Sequence, residues 1–209
     1  MSSNTLVRWS GLACIVGGCC LAGFVLVHPW DQLLGAEIAR TARWQLAHTL
    51  HFVGALFALL GLLGIFARQR EQLGSLGIIG FVLSFAGNAM FLGTGMITAF
   101  IWPMLALHAP ATVEVGGPIF GWPHSVLAFA LTAVTLSVGY VLFGIAMVQV
   151  GAFPRLSILG LVIGAILGML PPHPMGALPW WGLVFGGVLY GAALVWLGFI
   201  LWMEKSQDI

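Results

Sequence analysis

Six long apolar stretches, residues 6–27, 44–67, 73–104, 123–150, 154–170 and 180–202, take up most of the chain. Four of them contain no Asp, Glu, Lys or Arg; Arg8 and Arg155 stand near one end of the other two. About 20 consecutive apolar residues cross the hydrocarbon core of a bilayer as a helix. A helix is required because the backbone amides of such a span have no water to bond. The fold class is therefore all-α: a polytopic transmembrane helix bundle of about six spans, with residues 1–209 as a single membrane domain. Composition closes off the soluble alternative. Only 6% of the residues are charged and 60% are hydrophobic, whereas a soluble domain carries roughly 25% charged residues. Seven Lys and Arg with six Asp and Glu cannot coat a water-facing surface. The formal net charge of +1, with no basic run, also excludes a nucleic-acid partner, which needs a stripe of cations to neutralise phosphates. The lipid bilayer is the partner.

The first stretch has the look of a signal peptide, with Arg8 near its start. No small-x-small cleavage site follows it; His28-Pro29-Trp30-Asp31 does. A retained helix is the better reading. Pro123 and Pro154 suit first-turn positions, where no amide partner is lost. Pro171-Pro172 and Pro174 stop the fifth helix and predict an extended loop over 171–179. The third stretch is long, and the Gly93-Thr94-Gly95 step is the expected place for a bend. Gly160, Gly164 and Gly168 form one stripe; Gly182 and Gly186, then Gly187 and Gly191, form others. Such spacing lets backbones approach closely in lipid, so the last two helices are expected to pack tightly. Cys14, Cys19 and Cys20 all lie within the first span and read as small packing residues, not as a metal clip.

Cations in short loops mark the cytoplasmic side. With the N-terminus inside, that side holds Arg8, Arg68, Arg70, Arg155 and Lys205, and the other side Arg40 and Arg43. Both termini are expected in the cytoplasm. Trp30, Trp44, Trp102, Trp122, Trp180 and Trp181 then form an outer aromatic belt, and Trp9 and Trp202 an inner one.

Chemistry at depth is sparse. No pair of carboxylates is available for acid–base work, and no phosphate loop, dinucleotide fingerprint or nucleophile elbow occurs. The chain is read as leaning away from enzyme function. Asn88, Thr94, Thr132 and Thr135 are the modest midplane polar groups, and Asn88 suits an interhelical hydrogen bond. Histidine is distributed differently. His28, His48, His51, His108, His124 and His173 all fall on the outer side. His48 and His51, three apart, share a helix face, and His51 lies roughly 10 Å below Trp44 along the axis. His124 opens the fourth span at a similar level. A cofactor or metal site of His48, His51 and His124 is the sharp hypothesis, with haem b or a transition metal as ligand. Asp31, Glu37 and Glu114 are candidates for outer contacts to it. The simpler reading is that each imidazole bonds a neighbouring helix.

Gly151-Ala152-Phe153-Pro154-Arg155 with its Gly-rich helix, the closing Leu197-Gly198-Phe199-Ile200-Leu201-Trp202, and Trp44-Gln45-Leu46-Ala47-His48 leading into Leu59-Leu60-Gly61-Leu62 carry a resemblance. The chain resembles bacterial multi-pass membrane proteins of about six helices with no assigned activity. That likeness implies the bacterial cytoplasmic (inner) membrane. The His48-x-x-His51 stretch is distantly similar to the His-bearing helices of membrane haem proteins. The leading expectation is a non-catalytic accessory or structural subunit that binds lipid, quinone or pigment between helices, with other membrane subunits or further copies of itself as partners. Two alternatives stay open: a haem- or metal-binding redox protein with its site at the outer face, and a carrier of a small neutral or lipophilic substrate.

Overall fold

The computed structural model describes residues 3–30, 35–114, 116–170 and 180–204. Among these residues every regular element is helical. Helix α1 spans Ser3–Val27, the single turn α2 Ala36–Ala39 and α3 Ala42–Ala67. Helix α4, Gly74–Met96, runs through a π-helical turn, Ile97–Ile101, into α5, Trp102–His108. The short α6, Pro118–Gly121, precedes α7, Pro123–Val150, α8, Arg155–Met169, and α9, Trp180–Met203. Five of these rods, with α4 and α5 counted as one, are long and apolar enough to cross a membrane. Helix α8 is the short sixth, at about 22 Å. The chain is a multi-pass helical membrane protein.

The six long helices form a closed ring. Each packs on its neighbour in sequence, α1 on α3, α3 on α4, α4 on α7, α7 on α8 and α8 on α9, and α9 returns to α1. Glycine lets the backbones meet. A Cβ on Gly87 would stand 2.5 Å from Leu136 Cα, and one on Gly11 2.7 Å from the Gly198 carbonyl. The tight pairing expected of the last two helices is present: Gly164 lies against the Tyr190 backbone and Gly186 against Gly168 and Leu167. The second α9 row does different work. Gly187 meets Val25, and Gly191 meets Gly18 and Ala22, so this row seats α9 on α1. Cys14 is buried against Gly61 of α3, as a small packing residue should be, while Cys19 is exposed.

The third span departs from expectation in its bend. Helix α4 passes regularly through Gly93-Thr94-Gly95, and the irregularity is the π turn that follows. Its cause is Pro103, which has no amide to give to the carbonyl four residues earlier. That carbonyl, of Ala99, instead accepts from Gln45 Nε2 at 2.9 Å, and the Thr98 carbonyl accepts from Trp44 Nε1 at 3.0 Å. The side chains of α3 thus satisfy the backbone that proline leaves open.

The same contacts correct the tryptophan belt. Trp44 is buried, stacked on Trp102 at 5.2 Å. Together with Ala36, Ile38, Ala39, Ala106 and Val113 they form a small second core, a cap over one end of the ring. Arg40 donates to the Ala106 carbonyl, and the Ala36 amide donates to Glu114 Oε1 at 3.1 Å. Trp122, Trp180, Trp181 and Trp9 are exposed, as interfacial tryptophans are. The stretch between the third and fourth apolar runs, 105–122, contains the end of α5, a 3-10 turn at Pro110–Thr112 and α6. The expected loop over 171–179 lies outside the described residues.

Candidate functional site

A partly open cavity of about 220 Å³ lies among the helices of the ring, and all six contribute to its lining. Its walls are mainly Leu, Phe, Val, Met and Gly. Its polar side chains are few: His48 and His51 from α3, Asn88 and Thr94 from α4, Thr98 from the π turn and Tyr190 from α9. Residues 48 and 51 share the inward face of α3 because they are three apart.

The two imidazoles are 5% and 2% exposed. They sit in a cage of rings. His48 lies 4.0 Å from Trp44 and 5.1 Å from His28, and His51 stacks on Phe24 at 4.8 Å and meets Phe91 at 4.1 Å. None of the four ring nitrogens has a hydrogen-bond partner. His51 approaches the backbone of Phe91 without reaching bonding geometry. Buried polar groups are nearly always partnered, and an unmade bond costs about 1–3 kcal/mol for each group. Two neighbouring imidazoles with four such nitrogens are the strongest anomaly in the bundle.

The other polar side chains of the cavity are satisfied. Asn88 Nδ2 donates to the Tyr140 hydroxyl at 2.9 Å and to the Ser84 carbonyl at 2.8 Å. Tyr190 bonds Tyr140 at 2.5 Å, and its hydroxyl donates to Asn88 Oδ1 at 3.3 Å. This closed triangle ties α4, α7 and α9 together. The interhelical role expected of Asn88 is what it performs. The partners, Tyr140 and Tyr190, escaped the sequence reading, although they are the only two tyrosines in the chain and a phenol inside an apolar span needs a bond.

The histidine group differs in membership from the expected one. His28 joins it, just beyond the end of α1, buried beside His48 and against Trp30 at 4.0 Å. Burial pushes its imidazole down to about 4, and the nearby Arg43 guanidinium acts in the same direction. Arg43 also closes the end of α1, donating to the Val27 and His28 carbonyls, a favourable place for a cation. His124 is exposed at the start of α7, next to Trp122 at 6.1 Å. His108 is exposed and His173 lies outside the described residues. Of the acids expected nearby, Glu37 is exposed, Glu114 serves the Ala36 amide, and Asp31 lies outside the described residues. Among the described residues no group of three His, Cys, Asp or Glu is placed to hold a metal ion.

A second space adjoins the first. A groove of about 480 Å³ runs between the α4–α5 rod and α7, lined by Met90, Gly93, Ile97, Phe129 and Leu131 among others. Thr94 and Thr98 line both it and the central cavity. A Cβ on Gly93 would meet nothing within 4 Å, so the groove is open at that point.

Comparison of the chain with protein-family models, with curated proteins and with solved structures finds no match.

Proposed function

We propose that this chain is a non-catalytic multi-pass protein of the bacterial inner membrane that holds the head of a lipophilic molecule inside its helix ring. The head chemistry that fits best is a carbonyl-bearing ring, as in a quinone. The observation that carries this reading is the pair of buried imidazoles, His48 and His51, whose nitrogens lack partners beside an apolar cavity. A neutral imidazole has one N–H donor. A turn about χ2, a broad and soft torsion, brings a nitrogen to the cavity wall, where a carbonyl oxygen would accept from it. The rings of Phe24 and Phe91 offer stacking surfaces to a planar head.

Size supports a head and not a whole molecule. Pockets for drug-sized ligands run about 300–1,000 Å³, above the volume of about 220 Å³ in this cavity. The adjoining groove past Thr94 and Gly93 offers an apolar tail a route toward lipid. The sidedness of the cations, with Arg8, Arg68, Arg70 and Arg155 opposite Arg40 and Arg43, supports cytoplasmic termini and a ligand head held in the outer half of the membrane. The proposed role is that of an accessory subunit that keeps such a molecule available to a partner.

Haem and metal fit less well. A porphyrin is much larger than the cavity, and His48 and His51 come from one face of one helix, so they cannot flank the two sides of its ring. Titration of the purified chain with a short-tailed benzoquinone, followed by native mass spectrometry, tests the proposal. One bound molecule per chain, lost in His48→Leu/His51→Leu, is the expected result. Equal binding by that variant, with its fold intact, would refute the site.

A further inference from the structure

At the other end of the bundle, between the start of α1, the α3–α4 turn and the end of α9, lies a separate cavity of about 540 Å³. Its walls include Arg8, Arg68, Gln69, Arg70 and Glu204. Two of the arginines are engaged. Arg68 pairs with Glu204 at 2.9 Å and donates to the Ala152 carbonyl, and Arg70 stands 4.0 Å from the exposed Glu71. Arg8 is different. Its guanidinium lies over the Trp202 ring at 5.1 Å, its Nε has no partner, and it has no carboxylate among the described residues.

Gln69 supplies an independent observation. It is 1% exposed and lines the same cavity. Its Nε2 donates to the Ile65 carbonyl at 3.2 Å, which fixes which end of the amide is which, since a carbonyl accepts only from a donor. Its Oε1 is left without a partner. One cavity therefore presents an unmatched cationic donor and an unmatched buried acceptor. A bare anion would satisfy only the first, and an alcohol only the second.

We infer that this cavity binds a phosphate group that carries a neighbouring hydroxyl, the chemistry of a glycerol phosphate, with Arg8 taking a phosphate oxygen and Gln69 Oε1 accepting from the hydroxyl. Basic pockets between helices at a membrane face hold anionic headgroups by this kind of contact. Arginine suits phosphate because its donors are fixed in a plane and always charged. The site is separate from the central cavity and independent of what that cavity holds.

The full chain, purified in neutral detergent, is presented with phosphatidylglycerol, phosphatidylcholine or glycerol 3-phosphate and examined by native mass spectrometry. One phosphatidylglycerol is expected per chain, with phosphatidylcholine held about fivefold less well, because its phosphate still meets Arg8 but it lacks the hydroxyl for Gln69, a loss worth one neutral hydrogen bond. Arg8→Gln lowers retention about tenfold and Arg8→Lys restores most of it. Gln69→Leu weakens phosphatidylglycerol but leaves phosphatidylcholine unchanged, and it reads the same site should Arg8→Gln fold poorly. Displacement of the lipid by glycerol 3-phosphate assigns the site to the shared headgroup chemistry from either source; failure to displace assigns it to the lipid. Equal retention of the two lipids, or wild-type retention by a folded Arg8→Gln and a folded Gln69→Leu, overturns the inference.

Discussion

Two glycines on α4, six residues apart, should respond in opposite ways to the same added methyl group. Gly87 faces α7, where a Cβ would stand 2.5 Å from Leu136 Cα and 2.6 Å from its nitrogen. Carbon atoms rest at about 3.5–4.0 Å, so the seam must open by about 1 Å, against backbone that cannot rotate out of the way. Overpacking of this kind costs about 1–3 kcal/mol, and a rigid backbone neighbour places it in the upper part of that range. Alanine returns about 1 kcal/mol through helix propensity. Gly87→Ala should therefore lose about 1–2 kcal/mol net. Gly93 has nothing within 4 Å of a Cβ, so Gly93→Ala should gain up to about 1 kcal/mol. With about 2–4 °C for each kcal/mol in a chain of this size, the two variants should melt roughly 5–10 °C apart. Thermal unfolding of both in the same detergent, followed by intrinsic fluorescence, measures it. If Gly87→Ala melts at or above Gly93→Ala, the close α4–α7 seam is wrong, and with it the wall of the central cavity that Asn88 and Leu136 provide.

Other outcomes follow from the same contacts. Asn88→Leu removes two interhelical bonds, to Tyr140 and Tyr190, besides one to the Ser84 carbonyl of its own helix; at about 0.6 kcal/mol for each interhelical bond in lipid, a loss of about 1 kcal/mol should appear in denaturant unfolding, and Tyr140→Phe, which also removes two, should cost about the same. Gly93→Leu places a side chain in the groove beside the cavity, starting where a Cβ meets nothing within 4 Å, so it should slow entry of a short-tailed quinone in stopped-flow binding while the melting point holds. His28 is buried with its imidazole pushed down to about 4 from an ordinary 6.5. The stability this reflects is fully present above pH 6.5 and is lost as the pH falls toward 4, because the unfolded chain binds the proton first. Between pH 7 and 4 the wild type should lose about 3 kcal/mol more than His28→Leu, read from unfolding curves at each pH.

Much of the fold was legible because a bilayer leaves a chain few choices. The 6% charge content and the apolar run lengths dictate helices, and Pro123 and Pro154 mark where two of them begin. The closure of the ring was not legible, since the sequence does not say that Gly187 and Gly191 of α9 turn to α1 and not to α8. The bend was misplaced for a related reason: the glycines at 93 and 95 are conspicuous, but a missing amide at Pro103 perturbs a helix more than a missing side chain does. The buried histidine group could be read only in part. The spacing of His48 and His51 put them on one face, whereas membership of His28 depends on where α1 ends relative to α3, and His124 is held outside by the start of α7. Pairing of Tyr140 with Tyr190 is a contact across 50 residues, and no local pattern announces it.

In the proposed function the ring nitrogens of His48 and His51 take up a hydrogen-bonding head. The most direct measurement is the ¹⁵N spectrum of the chain labelled at histidine, recorded before and after addition of a short-tailed benzoquinone, with His48→Leu and His51→Leu assigning the signals. Nitrogens of one or both of these buried imidazoles should shift on binding while those of His108 and His124 stay put. Shifts confined to the exposed histidines, or none at saturating quinone, would contradict it.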